Sequence, residues 1–145
     1  MYETIKSLHS IWAYLSLAVL LIAVLNAFSG YVSKRIFAAK DLRISLFALI
    51  FTHIQLVLGL IVYFLSPKGL DGFSTPGAMK IPELRLTMLE HPLINIIAIV
   101  LITIGWSLHK KVEGTVKFRR IMVFYALGLI LILLRIPWKM WFSNL

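Results

Sequence analysis

The chain has no cysteine. That excludes disulfides, thiolate-ligated clusters and a covalently attached c-type haem. It is also short of charge. Only 14% of its 145 residues are Asp, Glu, Lys or Arg, against about 25% in soluble domains. Acid is the scarcer sign, with six Asp and Glu against fifteen Lys and Arg. The apolar stretches hold too few acids for a proton-conducting chain. There is no glycine-rich phosphate loop, and no serine, histidine and acid share a plausible depth for nucleophilic catalysis. The chain therefore does not read as a catalyst. It contains no internal repeat and no low-complexity tract.

Apolar residues are what it has in excess, 60% of the chain, with a mean hydropathy of +0.91. They gather in four blocks, at about 8–32, 44–65, 92–108 and 121–136. A bilayer core about 30 Å thick takes roughly 20 apolar residues of helix to cross. Inside it every backbone group must bond within its own segment, which favours helices. The sequence thus predicts an all-α integral membrane four-helix bundle, a single domain over residues 1–145. The first block is too long for a cleavable signal peptide and lacks a small-residue cleavage site after it. Pro67 and Gly69 stop the second helix. The stretch 66–90, rich in Pro and Gly, reads as an ordered loop. Residues 83–90 are expected to form a short interfacial helix started by Pro82.

The basic residues give an orientation. Lys34, Arg35, Lys40, Arg43, Lys110, Lys111, Lys117, Arg119 and Arg120 fall on one side, nine in two short loops. The other six, Lys6, Lys68, Lys80, Arg85, Arg135 and Lys139, share their side with Glu3, Asp71, Glu83 and Glu90. Both termini and the long loop are therefore expected on the outer, periplasmic side of a bacterial inner (cytoplasmic) membrane, in a multi-pass protein. The +9 net charge then reflects attraction to anionic lipid and the inside-negative potential, not nucleic acid. Trp12, Tyr63, Trp138 and Trp141 on the outside, and Tyr31, Trp106 and Phe118 on the inside, make interfacial belts.

Polar side chains inside such spans need a partner, a cavity or a cofactor. His9 heads a stripe of Ala13, Ser16, Leu20, Ala23, Ala27 and Gly30, which faces it into the bundle. His91 heads Asn95, Ala98, Ile102, Gly105 and His109, also an interior face. Either histidine is a candidate metal ligand. The plainer alternatives are a bond to a loop carbonyl for His9, and helix-start contacts with Glu90 for His91. His53 sits mid-helix on an apolar face, about 100° from the small-polar stripe Ser45, Ala48, Thr52, Gln55, Gly59 and Tyr63. It would bond a neighbouring helix or lie against an apolar, flat cofactor. His109, followed by two lysines, reads as a helix-end residue at the wet interface. Asn95 and Gln55 read as interhelical hydrogen-bond partners.

Depth decides which histidines share a metal. At about 1.5 Å per residue, His9 lies about 16 Å and His91 about 13 Å outward of mid-span, while His53 is within about 3 Å of it. His9 and His91 can meet on facing helices, and His53 is the alternate ligand. Arg135 either snorkels or pairs with Glu90. Alternatively, helped by Lys139, it serves ligand carboxylates such as haem propionates. The residues point to one b-type haem near the outer side of the bundle.

The segments Leu8-His9-Ser10, Thr52-His53-Ile54-Gln55 with Leu58-Gly59-Leu60, and Glu90-His91-Pro92 resemble a family of small bacterial four-span proteins described as cytochrome b-like. The resemblance covers most of the chain. It implies a four-helix haem bundle in membrane electron transfer, with His9, His53 and His91 at the family's histidine positions and Glu90 at its acid. More distantly the layout is similar to half of a haem A synthase, from which it departs in having no histidine on the fourth helix.

Three functional expectations follow. The first is electron transfer between quinol and a membrane or periplasmic partner through a bis-histidine haem b. The second is a non-haem accessory subunit of a larger membrane complex. The third is a periplasm-facing copper or zinc site of His9, His91 and Glu90.

Overall fold

The computed structural model describes residues 1–143. Six α-helices run in the order α1 (Tyr2–Val32), α2 (Ala39–Leu65), α3 (Pro82–Arg85), α4 (His91–His109), α5 (Val116–Leu134) and α6 (Trp138–Ser143), and no strand occurs among these residues. Three stretches are long and apolar enough to cross a membrane: Tyr2–Val32, Ala39–Ser74 and Pro82–His109. The long helix α5 has Lys117, Arg119 and Arg120 in its first turns, so its apolar run is shorter. The outward faces are apolar, with Ile22, Leu25, Phe28, Val57, Phe64 and Val100 all more than half exposed. Soluble monomers rarely leave such continuous apolar surface open.

The four long helices close into a ring. α1 packs on α2 and α5, and α4 packs on α2 and α5. α1 and α4 therefore stand diagonally across the bundle. The predicted stripes of α1, α2 and α4 are its interior, and a buried face of α5 completes it. Ser16, Leu20, Ala23, Ala27 and Gly30 of α1 are buried. So are Ser45, Ala48 and Thr52 of α2, Ala98, Ile102 and Gly105 of α4, and Ile121, Tyr125 and Gly128 of α5. At the end holding the two short loops the packing is tight. A Cβ on Gly30 would fall 2.4 Å from the Phe118 ring, and Phe118 itself is fully buried. Asp41, also buried, closes that end. It accepts from Arg35 at 2.6 Å, from Asn26 at 2.9 Å and from the Ala38 amide at 2.9 Å.

Several boundaries differ from expectation. α1 starts at Tyr2 and α2 at Ala39, each earlier than the apolar run alone suggests. α5 ends at Leu134. α2 does end at Leu65, before Pro67. Residues 70–80 form two short 3-10 turns. The expected separate interfacial helix over 83–90 is instead the beginning of the third long rod. α3 runs into a π-helical turn at Leu86–Glu90 and then into α4 without leaving helical geometry. The reason is Pro92. A proline inside a helix has no N–H and crowds the carbonyl four residues back. That carbonyl belongs to Met88, and the Tyr63 hydroxyl donates to it at 3.0 Å. The wider π turn makes room for the proline ring, and such turns are common at functional sites.

Candidate functional site

At the other end, where α1 and α4 begin and α2 and α5 finish, the same four stripes stop touching. They surround a cavity of about 290 Å³. Well-packed interiors hold few voids larger than a water molecule, so this space is a built feature. The four helices contribute Ala13 and Ser16, Gln55 and Gly59, Asn95, and Ile132. Met140 and Trp141 of α6 line it from the C-terminal side, and Trp141 stacks on Tyr14 of α1 at 4.5 Å. On the opposite rim the Tyr2 hydroxyl donates to Ser66 Oγ at 3.2 Å.

His9 and His91 come together in this cavity from the diagonal helices α1 and α4. Their ring centres are 6.4 Å apart and their planes stand at 80°. His91 has a defined tautomer. Its Nδ1 lies 2.7 Å from the Arg135 carbonyl, an oxygen that can only accept, so Nδ1 carries the proton. The lone pair is then on Nε2, the usual arrangement of a ligating histidine oriented by its second nitrogen. Because Nδ1 is a donor, the nearby Asn95 amide gives its hydrogen bond to the His91 carbonyl, at 2.6 Å. Asn95 therefore bonds within its own helix and is not the interhelical partner expected.

His9 is different. Among the described residues neither of its ring nitrogens has a hydrogen bond, and its buried Nδ1 is left without a partner. Gly59 makes its place. A Cβ at that position would come within 3.0 Å of His9 Cε1. Gln55, the neighbour one turn earlier on α2, donates to the His9 carbonyl at 3.0 Å. That is the interhelical role expected of Gln55, and it leaves its Oε1 buried and unpaired at the cavity wall. Two polar atoms at one cavity therefore lack protein partners, which is rare for buried groups.

The remaining candidates lie elsewhere. His53 is exposed on the outer face. Its Nδ1 donates to the Leu49 carbonyl at 2.7 Å, and Thr103 of α4 approaches its Nε2 at 3.3 Å. Both nitrogens are engaged by protein, away from the cavity. Arg135 also lies outside the cavity lining. Its guanidinium sits 3.6 Å from Glu90, and Glu90 accepts from Arg85 at 2.8 Å. The contribution of Arg135 to the site is its carbonyl on His91. With Glu90 held by two arginines, His9, His91 and Glu90 do not converge. Among the described residues no group of three or more His, Cys, Asp or Glu forms a place for a metal ion. His109, expected at a wet interface, is instead buried against Phe37 and Trp106, with Nδ1 on the Trp106 carbonyl.

Sequence reasoning paired His9 with His91, which the structure brings together, but missed what surrounds them. Gly59, as the opening for the His9 ring, was visible only as one member of a small-residue stripe. Lys6 and Lys68 were counted for orientation alone, yet both line the cavity.

A haem held by two histidines requires facing rings at one separation. A metal–nitrogen bond is about 2.0–2.1 Å and a ring centre lies roughly 1.1 Å beyond the nitrogen, so two in-line imidazoles have centres about 6.3 Å apart. The observed centre separation of 6.4 Å is close to that distance. No protein-family model, no curated protein and no solved structure matches this chain.

Proposed function

We propose that this protein is a membrane-embedded b-type haem protein of four spans that passes electrons between quinol and a membrane or periplasmic partner. The reading rests above all on the 6.4 Å separation of the His9 and His91 rings across the cavity. His91, oriented by the Arg135 carbonyl, would be one of the two residues holding the iron. His9 would be the other, in the space left by Gly59. Bound haem iron supplies one-electron transfer, at a potential set by its axial ligands and burial. The chain's own work is to hold two neutral imidazoles in register and to surround them with apolar side chains. The resemblance to cytochrome b-like proteins agrees with this and stands on its short motifs.

In this reading α5 is the fourth span, because its apolar run continues past Arg120 to Leu134. The termini and the cavity face the periplasm of a bacterial inner membrane, and the basic loops face the cytoplasm. A second reading, a subunit of a larger membrane complex, is favoured by one observation. The His53–Thr103 pair lies on the outer face, where a polar group in lipid gains from a protein partner.

The test is an absorbance spectrum of the detergent-purified protein, oxidised and then reduced. A Soret band that shifts on reduction, with resolved α and β bands, is expected. His9→Ala and His91→Ala should each abolish the six-coordinate spectrum, and His53→Ala should preserve it. A protein that stays colourless when made with ample haem would reject the reading. A spectrum lost with His53→Ala alone would reject the ligand assignment.

A further inference from the structure

Among the described residues two charged side chains line the cavity, and both are lysines: Lys6 on α1 and Lys68 in the turn after α2; no acid among those residues lines it. Lys6 lies one helical turn from His9 toward the mouth, about 4.5 Å along the axis. Its Nζ has a 3.9 Å contact with Glu3, whose side chain is 78% exposed, a pairing weak enough to yield to a better partner. The Lys68 ammonium has no ion pair or hydrogen bond among the described residues. The arginines nearest this end, Arg85 and Arg135, are committed to Glu90. The cavity is therefore graded: apolar walls, two imidazoles, and then two available cations at the rim.

We propose that Lys6 and Lys68 form the anion-binding edge of this cavity, taking the carboxylates of an amphipathic planar ligand whose centre lies between His9 and His91. This rests on the haem reading above and assigns to these lysines the role that the sequence suggested for Arg135. Two cations at the rim fix which way round such a ligand enters, with its carboxylate edge in the wet layer and its apolar edge toward Leu20. Ammonium groups suit this position. They reach on flexible stems and keep their heads hydrated while pairing with a carboxylate.

The experiment compares haem with its dimethyl ester, which has the same iron and ring but no carboxylates. Both are titrated into detergent-solubilised apoprotein, wild type and the double variant Lys6→Gln, Lys68→Gln. Wild type should bind haem about tenfold tighter than the ester, since each partly exposed ion pair is worth a few-fold. The double variant should lose that preference while binding the ester as wild type does. Ester binding thus doubles as the check that the variant is folded. Added salt should weaken haem binding and spare the ester. Equal affinity of wild type for the two ligands, or a preference that survives in the double variant, would overturn the lysine assignment and leave the haem reading intact. Failure of wild type to bind either ligand would overturn both.

Discussion

Gly59→Ala should separate the stability of this protein from its ligand binding. Alanine is about 0.8–1.0 kcal/mol better than glycine in a helix interior. The new Cβ would sit 3.0 Å from Cε1 of His9, so the ring must give by a few tenths of an ångström. It can, because the ring is the end of a side chain and the cavity lies beside it. The apoprotein should therefore unfold at the same temperature as wild type or slightly higher. The ring separation that suits a shared metal, however, leaves little room for error, so haem affinity should fall at least tenfold. Gly30→Ala is the contrast. There the Cβ would be 2.4 Å from the Phe118 ring, which is fully buried with nowhere to go. Overpacking of that kind costs about 1–3 kcal/mol. The assay is thermal unfolding of both variants in detergent by circular dichroism, with haem titration of each. Equal destabilisation by the two substitutions would refute the division into a packed half and an open half. Wild-type haem affinity in Gly59→Ala would refute the role given to Gly59.

Tyr63→Phe removes the hydroxyl donor to the Met88 carbonyl and should cost about 1–3 kcal/mol. In a Pro92→Ala background the restored amide can serve that carbonyl, so the same substitution should cost less there. A double-mutant cycle in which the two effects simply add would sink the account of the π turn. Asp41→Ala strips three hydrogen bonds from the α1–α2 connection and should lower stability by about 2–3 kcal/mol. An unchanged unfolding midpoint would contradict it. Because the chain has no cysteine, single-cysteine labelling reports topology without background. Ser74→Cys should react with a membrane-impermeant maleimide in intact spheroplasts, and Lys111→Cys only after permeabilisation. The reverse pattern would invert the orientation.

The interior of this bundle was legible because its outward faces are mostly apolar, so that small and polar positions at helical spacing mark the inside, as Ala23, Ala48 and Ala98 do. The depth of His9 and His91 was legible for the same reason, since rise per residue is fixed. What was not legible depends on contacts between segments. The helix through Pro92 continues because Tyr63, 29 residues earlier in the chain, supplies the missing donor. Periodicity within one segment carries no sign of that. Of the readings open for Arg135, the pair with Glu90 is the one the structure shows; that its backbone carbonyl reaches His91 was not legible, because any residue possesses one. For His53, the expected alternative of a bond to a neighbouring helix is met by Thr103 of α4, though which residue would supply it was not legible.

One physical contrast explains why the two halves of a single set of stripes differ. In the packed half, each small residue faces a large one: Gly30 faces Phe118, Gly128 faces Ile102, and Gly105 faces Phe124. In the open half, Ala13, Ser16 and Gly59 border one space, and Gly59 makes room for the His9 ring. A space of about 290 Å³ is far larger than the voids of a well-packed interior, and large apolar side chains on those stripes would have filled it. In the haem reading proposed above, the occupant is apolar over most of its surface, meets two imidazoles near its centre and has lysines at its rim.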